Sequence, residues 1–190
     1  QRQKAKENNL TEKEADTILE GLSKRAFYLT ELARKFNVKN IAEIGTAQGW
    51  QYYSFAEHCS NHDGKVWSCD IRDVREDSLS KKYKENTEFV LGTSKELVEK
   101  IKTDSATIDM FYVDGSHDRG AVVSDVLNLM EVQSDRDCIW VFDDYDLRFG
   151  CYHDITSVAR QSQFFMVHTP GKTASNNPTH QLVVIGNFKK

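Results

Sequence analysis

The sequence predicts an α/β fold built on a doubly wound, mostly parallel sheet. Three observations carry that reading. Short apolar runs of strand length alternate with amphipathic or charged segments, five times in succession, before two closing strands. The first run passes directly into a turn with two glycines, Gly45 and Gly49, and then into a helix-like stretch. Three runs end in acids: Asp70, Asp114 and the pair Asp143-Asp144. Doubly wound sheets bind ligands at the C-terminal ends of their strands, so acids placed there collect around one crevice.

The elements follow in order. Residues 1–10 are polar and read as a frayed arm. Thr11-Glu-Lys-Glu14 has the spacing of a capping box. Ile18, Leu19, Leu22, Ala26, Leu29, Leu32 and Ala33 keep a helical rhythm, which gives one or two helices ending near Phe36-Asn37. Residues 1–37 read as a helical cap or lid, and residues 38–190 as the ligand-binding part of one compact domain. Asn40–Ile44 is a buried strand with one carboxylate, Glu43, and Trp50–Glu57 is the helix after the glycine turn. Asn61-His-Asp-Gly64 is a turn before the second strand, Lys65–Asp70. Residues 72–86 are strongly charged, as a surface helix or loop would be. Thr87–Gly92 is the third strand, and Thr93-Ser-Lys-Glu96 caps a helix through Ile101. Thr107–Asp114 is the fourth strand, followed by a helix over 119–131, and Cys138–Asp143 is the fifth. A helix over 152–162, a sixth strand over Phe164–His168, a polar loop over 169–180 and a last strand over Gln181–Ile185 complete the chain. Only a loop separates the last two strands, so the last runs antiparallel.

Composition excludes several classes. The 190 residues are 39% hydrophobic and 28% charged, with a formal net charge of -4. That balance fits a globular protein and gives no footprint for nucleic acid or an anionic membrane surface. No apolar run approaches the roughly 18 residues of a membrane span. Cys59, Cys69, Cys138 and Cys151 form no C-x-x-C pair and read as reduced thiols of a cytoplasmic protein, without a zinc site.

The spacing of the first turn narrows the ligand. A dinucleotide fingerprint needs G-x-G-x-x-G, whereas here the pattern is Glu43-x-Gly45-x-x-x-Gly49, with Ala47 where a middle glycine would sit. A carboxylate two residues before Gly45 suits a ligand with a positive charge. Asp70 lies 25 residues beyond Gly45, where an acid can accept hydrogen bonds from ribose hydroxyls. Asp114, Asp143 and Asp144 end neighbouring strands and repel one another, which a hard divalent cation such as Mg²⁺ would relieve. His117, three residues past Asp114, can take a proton near neutral pH. Each has a structural alternative: a loop acid for Asp70, a helix cap for Thr93 and His117, and a metal-free hydrogen-bonded loop for the pair.

Taken together, these stretches resemble a known family. Lys39–Trp50 is similar to motif I of the class I S-adenosylmethionine-dependent methyltransferases. Phe111–His117 and Val141–Asp144 resemble the metal-dependent O-methyltransferases, the group of methyltransferase family 24, the macrolide sugar O-methyltransferases and the so-called cephalosporin hydroxylases. The resemblance spans about residues 38–145. It implies a Rossmann-like, seven-stranded sheet with helices on both faces. It also implies S-adenosylmethionine against Glu43, Gly45, Thr46, Ala47, Gly49, Trp50, Asp70, Ile71, Thr93, Ser94 and Asp114. Asp114, Asp143 and Asp144 would hold Mg²⁺, and His117 would be the general base. Where relatives carry Glu-Asp or Asp-Asn at the second metal site, this chain has Asp-Asp. The expected activity is Mg²⁺-assisted O-methylation of a small hydroxylated molecule. The alternatives are a metal-independent methyltransferase, a non-catalytic cofactor-binding module and, further off, a nicotinamide oxidoreductase. Self-association as a homo-oligomer stays open.

Overall fold

A computed structural model describes residues 12–75, 77–161, 166–172 and 178–188. The expected polar arm, the capping Thr11 and the start of the sixth strand at Phe164-Phe165 lie outside the described residues.

A single helix, α1 (Glu12–Lys35), replaces the expected one or two. It leads into β1 (Asn40–Ile44), α2 (Trp50–Ser60) and β2 (Lys65–Asp70). The charged stretch that follows forms α3 (Asp77–Lys82) and a short 3₁₀ turn, Lys84–Asn86. Next come β3 (Thr87–Leu91), α4 (Ser94–Thr103), β4 (Met110–Val113), α5 (Ala121–Leu129), β5 (Ile139–Phe142) and α6 (Cys151–Gln161). The hairpin of β6 (Met166–Lys172) and β7 (Pro178–Ile185) closes the described chain.

The strands form one sheet in the order β3-β2-β1-β4-β5-β7-β6. The pairs among β1 to β5 are parallel, and β7 runs antiparallel between β5 and β6. The chain leaves β1 toward β2 and β3, then crosses to β4 on the other side of β1. The crevice of a doubly wound sheet opens at that reversal.

Both faces of the sheet are covered, which explains the continuous apolar runs. Along β4, Met110 and Tyr112 face a core with Leu29 and Ala33 of α1 and Tyr52, Phe55 and Ala56 of α2. Phe111 and Val113 face the opposite core, with Leu97 and Ile101 of α4, Val122 and Val126 of α5, and Ile155 and Val158 of α6. Phe111 stacks on Trp140 with ring centres 3.9 Å apart, so the middle of that core is aromatic. All four cysteines are buried free thiols. Among the described residues, no helix is long and apolar enough to cross a membrane.

The C-terminal hairpin corrects one expectation. Thr169, Pro170, Gly171 and Lys172, read as loop, pair with Gln181, His180, Thr179 and Pro178. Pro170 is tolerated because β6 is an edge strand, and Pro178 because it opens β7. The fourth strand is also shorter than expected, since Ile108 makes only an isolated bridge to Gln133.

Candidate active site

The glycine turn is built against the end of β4. Gly45 has φ +90°, and a Cβ there would lie 1.8 Å from the Asp114 carbonyl oxygen, so only glycine fits. Its N–H donates to the Cys69 carbonyl at 2.9 Å, and the Asp114 N–H donates to the Ile44 carbonyl at 2.9 Å. These bonds carry the β2-β1-β4 ladder one residue past the strands. Gly49 also has positive φ, and a Cβ there would meet the Tyr53 ring at 2.6 Å. Ala47 sits at φ +46°, so the missing middle glycine is replaced by a strained alanine.

Two carboxylates set the shape of this turn. Asp70 accepts from the Ala47 N–H at 2.8 Å and the Arg72 N–H at 3.0 Å. It thus ties the turn to the end of β2 while remaining half-exposed at the crevice. Glu43 lies beneath the turn, only 1% exposed. It accepts from Ser68 Oγ at 2.6 Å, and Ser68 Oγ in turn lies 2.5 Å from Thr46 Oγ1. Burial pushes the Glu43 carboxyl up to about 8, against the lowering pull of Ser68 and Arg25. Glu43 and Thr46 therefore brace the turn from below.

The other expected cofactor residues divide. Ile71 is 74% exposed just beyond Asp70, an apolar side chain left open at the crevice. Trp50 begins α2 and is half-buried. Thr93 completes a capping box with Glu96, and buried Ser94 accepts from Asn128 Nδ2 at 2.9 Å. Both of the latter are engaged in holding α4.

The acids at the ends of β4 and β5 form a second cluster. Asp114 and Asp143 continue the parallel ladder, with the Asp143 N–H donating to the Val113 carbonyl at 3.0 Å. Asp144 then turns away at φ +52°, a left-handed conformation that costs about 1 kcal/mol or more in a residue other than glycine. That turn carries its carboxylate to His117, with Oδ2 2.5 Å from Nε2. The His117 loop is held by its carbonyl, which accepts from the Cys151 N–H at 2.9 Å, and by Phe149, whose ring centre lies 4.6 Å from the imidazole. A Cβ on Gly150 would come within 2.7 Å of the same carbonyl, so the approach of α6 depends on that glycine.

One ligand atom from each of Asp114, His117 and Asp144 lies within 4.8 Å of the other two. Asp143, expected in the metal set, is not part of this group. Its Oδ2 lies 2.5 Å from Arg25 Nη1 and 2.7 Å from Tyr112 Oη, which also lies 3.0 Å from Asp114 Oδ2. The physical reason is direction. Asp143 stays in the ladder on the Tyr112 side, whereas the left-handed Asp144 swings to His117. Burial, then the charge of Asp143, raises the Asp114 carboxyl well above the usual carboxylate range, although Arg25 lowers it. Burial likewise raises the Tyr112 phenol.

Two residues escape sequence reasoning. Arg25 comes from the middle of α1, and nothing local marks it as a partner of Asp143. Gln51, in the first turn of α2, is buried with neither end of its amide partnered. Phe55, one turn further along the same face, packs edge-on to Tyr112 at 5.8 Å, so Gln51 lies toward the strand ends. A glutamine within a buried helical stripe was the available signal. Within the protein this buried amide has no hydrogen-bond partner.

The comparisons bear on the fold and the family. No curated protein matches the chain. Among solved structures, the O-methyltransferase TomG from Streptomyces achromogenes, involved in tomaymycin synthesis and in complex with SAM, is 16% identical with TM-score 0.67, covering 86% of this chain and 80% of that one. An O-methyltransferase from Bacillus cereus in complex with SAH is 13% identical with TM-score 0.68, covering 95% of this chain and 94% of that one. These likenesses establish the fold. A methyltransferase domain model matches residues 42–145, from β1 through the Asp143-Asp144 turn, which is more than half of the chain and includes both carboxylate clusters. The chain belongs to the methyltransferase domain family.

Proposed function

We propose that the chain transfers the methyl group of S-adenosylmethionine to an oxygen of a small hydroxylated molecule, with a divalent cation at Asp114, His117 and Asp144. The observation that carries the reading is the Gly45–Gly49 turn pressed on the Asp114 backbone at the sheet reversal, with Asp70 on one side and the Asp114 cluster on the other. The solved neighbours with SAM and SAH bound support the cofactor.

The donor set fits a divalent cation. Two carboxylates and one imidazole converge on one point at the strand ends. A bound cation lowers the pKa of an acceptor hydroxyl and fixes its direction. The chain's own residues do the rest. Gly45, Ala47 and Asp70 seat the cofactor, exposed Ile71 offers an apolar surface to its base, and Gln51 supplies an unpartnered amide beside it. Tyr112 fixes Asp114, and α1, the proposed lid, keeps water from the Tyr112 side of the site. A second reading rests on the 2.5 Å contact alone. There His117, oriented by Asp144, takes the acceptor proton without a metal.

The deciding experiment is calorimetric titration with S-adenosylmethionine and, separately, NAD⁺, followed by an acceptor screen with Mg²⁺ or with EDTA. Binding of S-adenosylmethionine alone and EDTA-sensitive turnover are expected. NAD⁺ binding in its place would overturn the methyltransferase reading. Turnover unchanged in EDTA would move the assignment to the metal-free mechanism.

A further inference from the structure

Arg25 puts a cation inside the acidic cluster from a separate part of the chain. It lies 118 residues from Asp143 in sequence, yet its Nη1 is 2.5 Å from Asp143 Oδ2 and 3.8 Å from Asp114 Oδ2. Its guanidinium carbon is 6.0 Å from the centre of the Tyr112 ring. The Asp143 side chain is 2% exposed, and its second oxygen, Oδ1, has no partner. A buried carboxylate with one oxygen held by arginine and the other unsatisfied is costly, and a ligand set that left it out needs a reason.

We propose that Arg25 is a built-in competitor of the metal. By pairing with Asp143 it withholds that carboxylate from coordination and limits the site to three protein donors, Asp114, His117 and Asp144. This rests on the metal reading above. The guanidinium is a fixed positive charge within 4 Å of a metal-ligating carboxylate, so it also opposes a second cation directly. Removing it takes away that opposition and frees Asp143 as a fourth donor. Arg25 thus acts through Asp143 as a positioning residue that sets how tightly the metal is held.

The test uses the full chain without cofactor and follows Mn²⁺ binding through the electron paramagnetic resonance signal of the free ion. Arg25→Met should bind Mn²⁺ about tenfold more tightly than the parent chain, or better, because a neighbouring charge is lost and a carboxylate gained. Asp143→Asn should lose clearly less than Asp144→Asn, because it leaves Arg25 without its counter-charge but removes no metal donor, whereas Asp144→Asn should lose about tenfold or more. The double variant Arg25→Met/Asp143→Asn should lose most of the gain, since the gain runs through Asp143. Thermal melts report whether each variant folds. Unchanged or weaker binding by a folded Arg25→Met overturns the proposal, as does a loss in Asp143→Asn as large as that in Asp144→Asn. If Arg25→Met does not fold, Asp143→Asn set against Asp144→Asn decides alone. Tight Mn²⁺ binding by the parent chain with no gain in Arg25→Met removes only the competitor role. Absence of binding in the parent chain and in every variant removes the metal reading with it.

Discussion

Replacing Glu43 by glutamine gives a direct test of the brace beneath the glycine turn. The Glu43 carboxyl is 1% exposed and burial pushes it up to about 8 from 4.5. Between those values the folded chain keeps a proton that the unfolded chain has lost. Folding stability therefore falls as pH rises, by about 1.4 kcal/mol per pH unit. Across the window from 4.5 to about 8 this reaches about 5 kcal/mol, comparable to the whole stability of many domains. Below 4.5 both states hold the proton and the effect vanishes. Glutamine keeps the size and the oxygen that accepts from Ser68, but it does not titrate. Urea unfolding at intervals from pH 5 to 9 would give the difference between Glu43→Gln and the parent chain, in which other titrating groups cancel. The variant should gain stability over the parent steadily up to pH 8 and hold that gain above it. A difference that stays flat from pH 5 to 9 would refute the buried, neutral carboxyl. A difference of opposite sign would mean that Glu43 is ionised and paired in the folded state.

Other outcomes follow from the same geometry. Gly45→Ala should cost at least about 3 kcal/mol, because its Cβ would meet backbone that the β1-β4 ladder cannot move, and thermal melts would show it. Asp70→Ala should remove the acceptor of the Ala47 and Arg72 N–H groups, and calorimetry should find S-adenosylmethionine bound about tenfold or more weakly. His117→Ala and Asp144→Asn should each lower turnover by about a hundredfold or more, and the double variant should lose little beyond either single one if the two act as a unit. Full additivity of the two losses would separate their roles.

Much of this arrangement is legible in the amino-acid sequence. The strand-end acids Asp70, Asp114 and Asp143-Asp144 could be read because each closes an apolar run, and the sheet order brings such ends together. What stayed hidden depends on direction and distance. The sequence cannot tell that Asp144 adopts positive φ, so the neighbouring Asp143 looked equally suited to a metal. Arg25 pairs across 118 residues, beyond any local pattern. The resemblance implies S-adenosylmethionine against Glu43, and the structure adds the Ser68 hydroxyl that its carboxylate accepts from under the turn. The resemblance also implies the cofactor against Thr93 and Ser94, and the structure adds the helix-capping and Asn128 contacts that they make. The hairpin is longer than the sequence suggests because the polar residues 169–172 and 178–180 pair through their backbones, which side-chain polarity does not reveal.

The position of β7 has a consequence for assembly. It lies between β5 and β6 although it is made after both. Until Pro178–Ile185 emerges, neither β5 on that side nor β6 has a strand neighbour among the described residues. A ribosome-bound chain can therefore complete the half of the sheet that holds the glycine turn well before the other half. During that interval, the apolar edge of β5 is open to any other extended chain nearby.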